Sequence, residues 1–233
     1  MSFLTAKWEN LIMANYVINS EILKPHIPSG TQLDFFEGNC YISLVGFMFK
    51  NTKVLGIKMP YHINFEKVNL RFYVKRNDKR GVVFIKEIVP KPLITFIANS
   101  LYNEHYQTCK MKHDEDNTNN HYSYHWKIKE KWQSLSVKTK QNTIPIIENS
   151  EAEFIAEHYY GYTKGKHKTF EYEVKHPKWK QKEIINYDIN VNFAANYGSE
   201  FRMLNQLMPK SVFLATGSDI SVENKRIINP IYT

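Results

Sequence analysis

Cysteine is scarce in this chain. Only Cys40 and Cys109 occur, far apart and in no CxxC or Cys/His spacing, so neither a disulfide framework nor a zinc site is indicated and both read as reduced, buried thiols. Long apolar runs are also lacking. Residues 11–18 are interrupted by Asn15 and are too few to cross a bilayer, and residues 1–8 carry no basic leader region, so a cytoplasmic location is expected. There is no Gly-rich phosphate loop, no G-x-S-x-G elbow and no H-E-x-x-H, so nucleotide and zinc-peptidase chemistry are not indicated and no cofactor or metal is expected. No internal repeat or Pro/Gly/Ser-rich linker divides the 233 residues, and residues 1–233 are expected to form a single domain.

What the chain has in quantity is aromatic side chains. Fifteen Tyr, fourteen Phe and four Trp make up 14% of the residues, and such side chains favour the half-buried, pleated surface of a sheet. Lys plus Arg number 31 against 23 Asp plus Glu, a net charge of +8. The lysines are scattered from Lys7 to Lys225 with no block of five like charges, the pattern of a solvated surface. Neither nucleic acid nor membrane is therefore expected as a partner, and the oligomeric state is left open.

Strand patterns recur along the chain. Residues 11–18 and 31–36 read as strands, separated by a short helix capped by Asn19 or Ser20. Residues 40–50 are apolar at nearly every position, as a central strand covered on both faces should be. Residues 93–101 have helical spacing behind Pro92, and residues 113–120 read as a polar loop or hairpin tip. From residue 121 to Trp132 the apolar positions alternate, interrupted by Glu130. Ser150 with Glu153 forms a capping box, and a further helix is expected near 200–208. Many strands and few helices predict a mainly β (α+β) fold, a large antiparallel sheet curling into a cone or barrel.

His121 and His125 lie on an alternating stretch. Four residues along a strand are separated by about 13 Å, too far to share one ion, and they read as surface residues. The hairpin of residues 65–75 and 81–89 is more informative. Asn69, Arg71 and Tyr73 share one face of the first strand and Leu70, Phe72 and Val74 the other, while Val83, Ile85 and Val89 are read as sharing a face with Glu87. A turn centred at Asp78 sets Asn69 opposite Glu87 and Arg71 diagonal to it. Arg71 then either neutralises Glu87 or holds an anionic ligand.

Several stretches carry a family resemblance: residues 3–8 (FLTAKW), 41–47 (YISLVGF), 64–71 (NFEKVNLR), 81–90 (GVVFIKEIVP), 157–163 (EHYYGYT) and 211–215 (SVFLA). Together they resemble the YqjF-like family of uncharacterised bacterial proteins. That resemblance implies a fold similar to acetoacetate decarboxylase, with a pocket inside the cone, and fold alone implies no activity. The decarboxylase forms a Schiff base through a lysine in a Glu…Pro-Lys-Lys motif, where the adjacent cation activates the reactive amine. Glu87-Ile88-Val89-Pro90-Lys91-Pro92 is the nearest stretch, which makes Lys91 the candidate catalytic lysine, although Pro92 replaces the second lysine that would lower its pKa. The functional expectation is an enclosed pocket for a small anionic or aromatic molecule, contacted by Arg71, Tyr73, Glu87 and Tyr102. The alternatives are a Schiff-base enzyme acting on keto acids and a non-catalytic protein that binds a macromolecule.

Overall fold

The computed structural model describes residues 2–102, 104–166 and 168–228, with residues 101 and 102 given by their backbone alone. In chain order the main elements are β1 (Leu4–Val17), β2 (Asn39–Val54), β3 (Phe65–Arg76), β4 (Lys79–Val89), α1 (Pro92–Ile97), β5 (Tyr106–Thr108), β6 (Met111–Asp116), β7 (His121–Ile128) and β8 (Lys131–Pro145). They continue with α2 (Glu151–Ala156), β9 (Tyr160–Lys164), β10 (Thr169–Lys175), β11 (Lys180–Asn190), α3 (Phe193–Tyr197), β12 (Ser211–Val222) and β13 (Arg226–Ile228).

The strands follow the order β13-β10-β9-β4-β3-β2-β1-β12-β11-β8-β7-β6. A further pairing of Val174 with Val222 and Lys175 with Ser221 joins β10 to β12, so the strands from β10 through β4 and β1 to β12 make a cone-like ring. The sheet is mixed rather than antiparallel throughout. β9 meets β4 in parallel over two residue pairs, Tyr160 with Gly81 and Gly161 with Val82, and β5 also runs parallel to β4 at Glu87 to Val89. Both partners return to β4 after long excursions, a connection that permits parallel pairing where a tight hairpin does not.

β2 explains the two-layer architecture. Tyr41, Val45, Phe47 and Phe49 enter one apolar cluster, inside the ring, together with Met13, Tyr73, Phe154 and Trp179. Ile42, Leu44 and Met48 enter the other, where the extension of β7 and β8 contributes Tyr122, Tyr124, Trp126, Leu135 and Val137. Both faces are buried, hence the unbroken apolar run. The layers touch at Gly46, where a Cβ would lie 2.8 Å from the Tyr124 ring.

Several local expectations change. The alternation read through Trp132 is cut at Lys129 and Glu130, whose φ angles of 45° and 65° make a tight hairpin turn, and Trp132 stands 45% exposed on the next strand. Residues 113–116 belong to β6. α1 ends at Ile97 and continues as a π turn from Ala98 to Tyr102, and the stretch near 200–208 is a 3-10 helix, Ser199–Asn205. The Asn19 side chain does cap the first short helix, and Ser150 caps α2 by accepting from the Glu153 N–H at 3.2 Å. Among the described residues no helix is long and apolar enough to cross a membrane.

Candidate functional site

A cavity of about 120 Å³ lies inside the ring. Trp8, Phe49, Phe84, Tyr160 and Trp179 give it apolar walls, and Lys67, Arg71, Glu104, Tyr106 and His158 bring polar groups to it. Period-two alternation on β3 accounts for two of these, since Lys67, Asn69, Arg71 and Tyr73 all point inward. Every one is at most 8% exposed.

Lys67 is 5% exposed and forms an ion pair with Glu87 of β4. Its ammonium also donates to the Tyr106 hydroxyl at 2.8 Å and lies 5.0 Å from the ring centroids of both Phe84 and Tyr106. Two registers create this contact: Asn69 stands opposite Glu87, and Glu87 stands beside Tyr106 of β5. Burial pushes the Glu87 carboxyl up, and the Lys67 charge only partly opposes it. Glu104 completes the cluster, with its Oε1 accepting from the Thr163 hydroxyl at 2.6 Å and the Tyr172 hydroxyl at 3.0 Å. Burial, reinforced by the negative charge of Glu87, pushes the Glu104 carboxyl up to about 8. At neutral pH it is largely protonated and available as an acid.

Arg71 behaves differently. Its Nη2 donates to the Ile155 carbonyl at 3.1 Å and its guanidinium lies 5.7 Å from the Tyr73 ring, but among the described residues it has no acidic partner and its Nε has no hydrogen-bond acceptor. The pairing of Arg71 with Glu87 considered from the hairpin does not form. A β-bulge at Ile85 sets Arg71 opposite Phe84, and Lys67 takes the carboxylate. The same bulge separates the faces of β4: Val83 and Ile85 join the outer cluster, whereas Val89 faces inward with Glu87.

The wall beyond Arg71 holds His158. Its Nε2 lies 3.4 Å from Asp34 Oδ2, which also accepts from Arg80 Nε at 2.7 Å. Burial tends to raise Asp34, yet the hydrogen bonds from His158 and Arg80 together leave it below its ordinary value. Burial lowers His158 to about 4.

Of the residues expected from sequence, Arg71 lines the cavity and Glu87 underlies Lys67. Tyr73 is 1% exposed, with its hydroxyl 2.7 Å from Ser43 Oγ and its ring toward Arg71. Lys91 precedes α1 as its N-cap, partly exposed, and is not among the cavity-lining residues, because Pro90 has already turned the chain out of β4. The Tyr102 side chain lies outside the described residues. Lys67, Glu104, Tyr106 and His158 were not anticipated. Lys67 had a readable signal, being the next residue down the Asn69, Arg71, Tyr73 face.

Residues 5–219 match DUF2071, described as an uncharacterized conserved protein. The chain belongs to this family. The chain is also 26% identical over 110 residues to the uncharacterized protein YqjF of Bacillus subtilis strain 168, a match covering 47% of this chain and 46% of YqjF. The DUF2071 chain thus spans about half the length of that curated relative. The fold is similar to that of the enduracididine biosynthesis enzyme MppR complexed with pyruvate, with a TM-score of 0.70 at 7% identity over 98% of this chain and 91% of that one. It is also similar to acetoacetate decarboxylase from Legionella pneumophila, with a TM-score of 0.68 at 7% identity, 97% of this chain and 87% of the other being covered. An acetoacetate decarboxylase-like enzyme from Sphingomonas wittichii RW1 gives 0.68 at 8% identity, over 99% and 95% of the two chains. The decarboxylase-like fold implied by the sequence is the fold adopted, and at these identities the likeness concerns fold alone.

Proposed function

We propose that this DUF2071 protein binds a small carboxylate inside the cone, with Arg71 as its counter-ion. The observation that carries the reading is an arginine 8% exposed, on the cavity wall, with no acidic partner among the described residues. A buried guanidinium without a carboxylate is costly, and its planar fork is suited to taking one. The cavity volume of about 120 Å³ limits the ligand to a handful of heavy atoms, since a cavity of roughly 150 Å³ accommodates benzene. Pyruvate, the ligand named for the MppR complex, belongs to this size class.

The test is calorimetric titration of pyruvate and other short carboxylates into the protein and into Arg71→Met. Loss of one charged hydrogen-bonding partner is worth at least about tenfold in affinity. Equal affinity for the two proteins would overturn the proposal.

A second reading, that the cavity performs Schiff-base chemistry, is favoured by Lys67. It brings a primary amine to the cavity beside Glu87 and near Glu104, two carboxyls able to exchange protons with it. In that reaction the amine and a ligand carbonyl would join as an imine with release of water. Borohydride reduction in the presence of pyruvate, followed by peptide mapping, decides it. A label on Lys67 supports this reading, a label on Lys91 restores the motif-based choice, and no label leaves a non-covalent binder.

A further inference from the structure

The Asp34–His158 pair is not used by the carboxylate reading, yet its chemistry is constrained. The His158 side chain is 1% exposed and its ring is part of the cavity wall. Asp34, ionised and held by Arg80, can only accept, so the His158 Nε2 that faces it must carry the proton. In a neutral imidazole the other nitrogen, Nδ1, is then a bare acceptor. That atom is buried and, among the described residues, has no hydrogen-bond partner.

The two rings packed against it offer none. The ring is flanked by Tyr73 at 4.7 Å between centroids and by Phe154 at 5.1 Å, both presenting aromatic carbon. The Tyr73 hydroxyl is directed to Ser43, whose own proton goes to Asn15 Oδ1 at 2.7 Å. Leaving a buried acceptor unsatisfied is costly, and His158 is among the residues that line the cavity. Burial holds the imidazole neutral at physiological pH, so it remains an acceptor there. Arg71 is close by, since it approaches the same Tyr73 ring and its charge also acts on His158.

We propose that His158, oriented by Asp34, is a hydrogen-accepting subsite that selects 2-hydroxy carboxylates, whose O–H it takes, over the corresponding 2-oxo and unsubstituted acids. This rests on Arg71 holding the carboxylate. A hydroxyl on the adjacent carbon then supplies the donor that Nδ1 lacks, whereas a keto oxygen brings only lone pairs to an acceptor. With the carboxylate on Arg71 and the hydroxyl on His158, the apolar wall of Trp8, Phe49 and Phe84 is the third contact, which tells the methyl from the hydrogen of the 2-carbon and makes the subsite chiral.

The experiment titrates the intact chain with (R)-lactate, (S)-lactate, pyruvate and propionate by calorimetry. One lactate enantiomer is expected to bind about tenfold more tightly than pyruvate or propionate, the worth of a satisfied buried acceptor. His158→Phe keeps a ring in the wall but removes the acceptor at Nδ1, so it should abolish the preference for lactate over pyruvate and propionate. If both lactates bind no better than pyruvate and propionate, the His158 inference is overturned and the Arg71 reading stands. If none of the four binds, both fall. The wild-type comparison decides the matter even if the variant does not fold.

Discussion

Replacing Lys67 by methionine keeps most of the side-chain length and removes the ammonium, which leaves Glu87 without its counter-ion. Glu87 is 1% exposed and cannot turn its carboxylate to water. Breaking one side of a buried ion pair costs about 3–5 kcal/mol. In a protein of this size each kcal/mol shifts the melting temperature by about 2–4 °C, so the variant should melt roughly 6–20 °C lower. Adding Glu87→Gln removes the stranded charge, and the double variant should return to within about 1 kcal/mol of wild type. The pH dependence has a defined sign. Burial already raises the Glu87 carboxyl against the pull of Lys67, and without Lys67 it rises further. Ionising a group whose folded pKa is raised opposes folding, so the penalty is greatest at pH 7 and shrinks as the medium is acidified toward pH 5. Urea unfolding followed by circular dichroism at both pH values measures this. A penalty below about 1 kcal/mol at pH 7, or a double variant as unstable as the sum of the two singles, would refute the reasoning.

Two further outcomes follow from the same wall of the cavity. Glu104 has a folded pKa of about 8 against an ordinary value of 4.5, so the native state holds more protons between these limits and stability falls as pH rises through them; Glu104→Gln should flatten that slope, and an unchanged slope in urea midpoints would count against it. Gly161→Ala would place a methyl carbon 2.1 Å from Tyr172 Cζ, so the ring must move away from Glu104; a stability loss of about 1–3 kcal/mol is expected in thermal melts, and a neutral substitution would show that the packing there is looser than described.

The sequence made the strands legible because their burial is periodic. β2 announced its central position through apolar residues on both parities. The opposition of Asn69 and Glu87 was read from a turn centred at Asp78, whereas the pairing of Arg76 with Lys79 centres the turn between Asn77 and Asp78 and the bulge at Ile85 restores the opposition. The bulge at Ile85 was not legible. An inserted residue leaves no mark in an apolar run, and it decides that Lys67 rather than Arg71 meets Glu87. Glu104 and His158 come from segments outside the strands, and their partners Thr163, Tyr172 and Asp34 are distant in sequence. Local periodicity carries no information about such meetings. The choice of Lys91 rested on a short motif, whereas continuing the inward parity of β3 by one step reaches Lys67.

The way β4 is covered on its outer edge bears on how the chain can fail. β5 pairs only at Glu87 to Val89 and β9 only at Gly81 and Val82, so residues 83–86 have, among the described residues, no strand partner on that side. A nascent or truncated polypeptide lacking Tyr160 and Gly161 therefore offers most of this edge to any neighbouring chain, in the manner of an aggregation template. Lys79, Arg80 and Lys86 lie along the same strand, and their like charges are the sort of gatekeeping that keeps two such edges apart until β9 arrives.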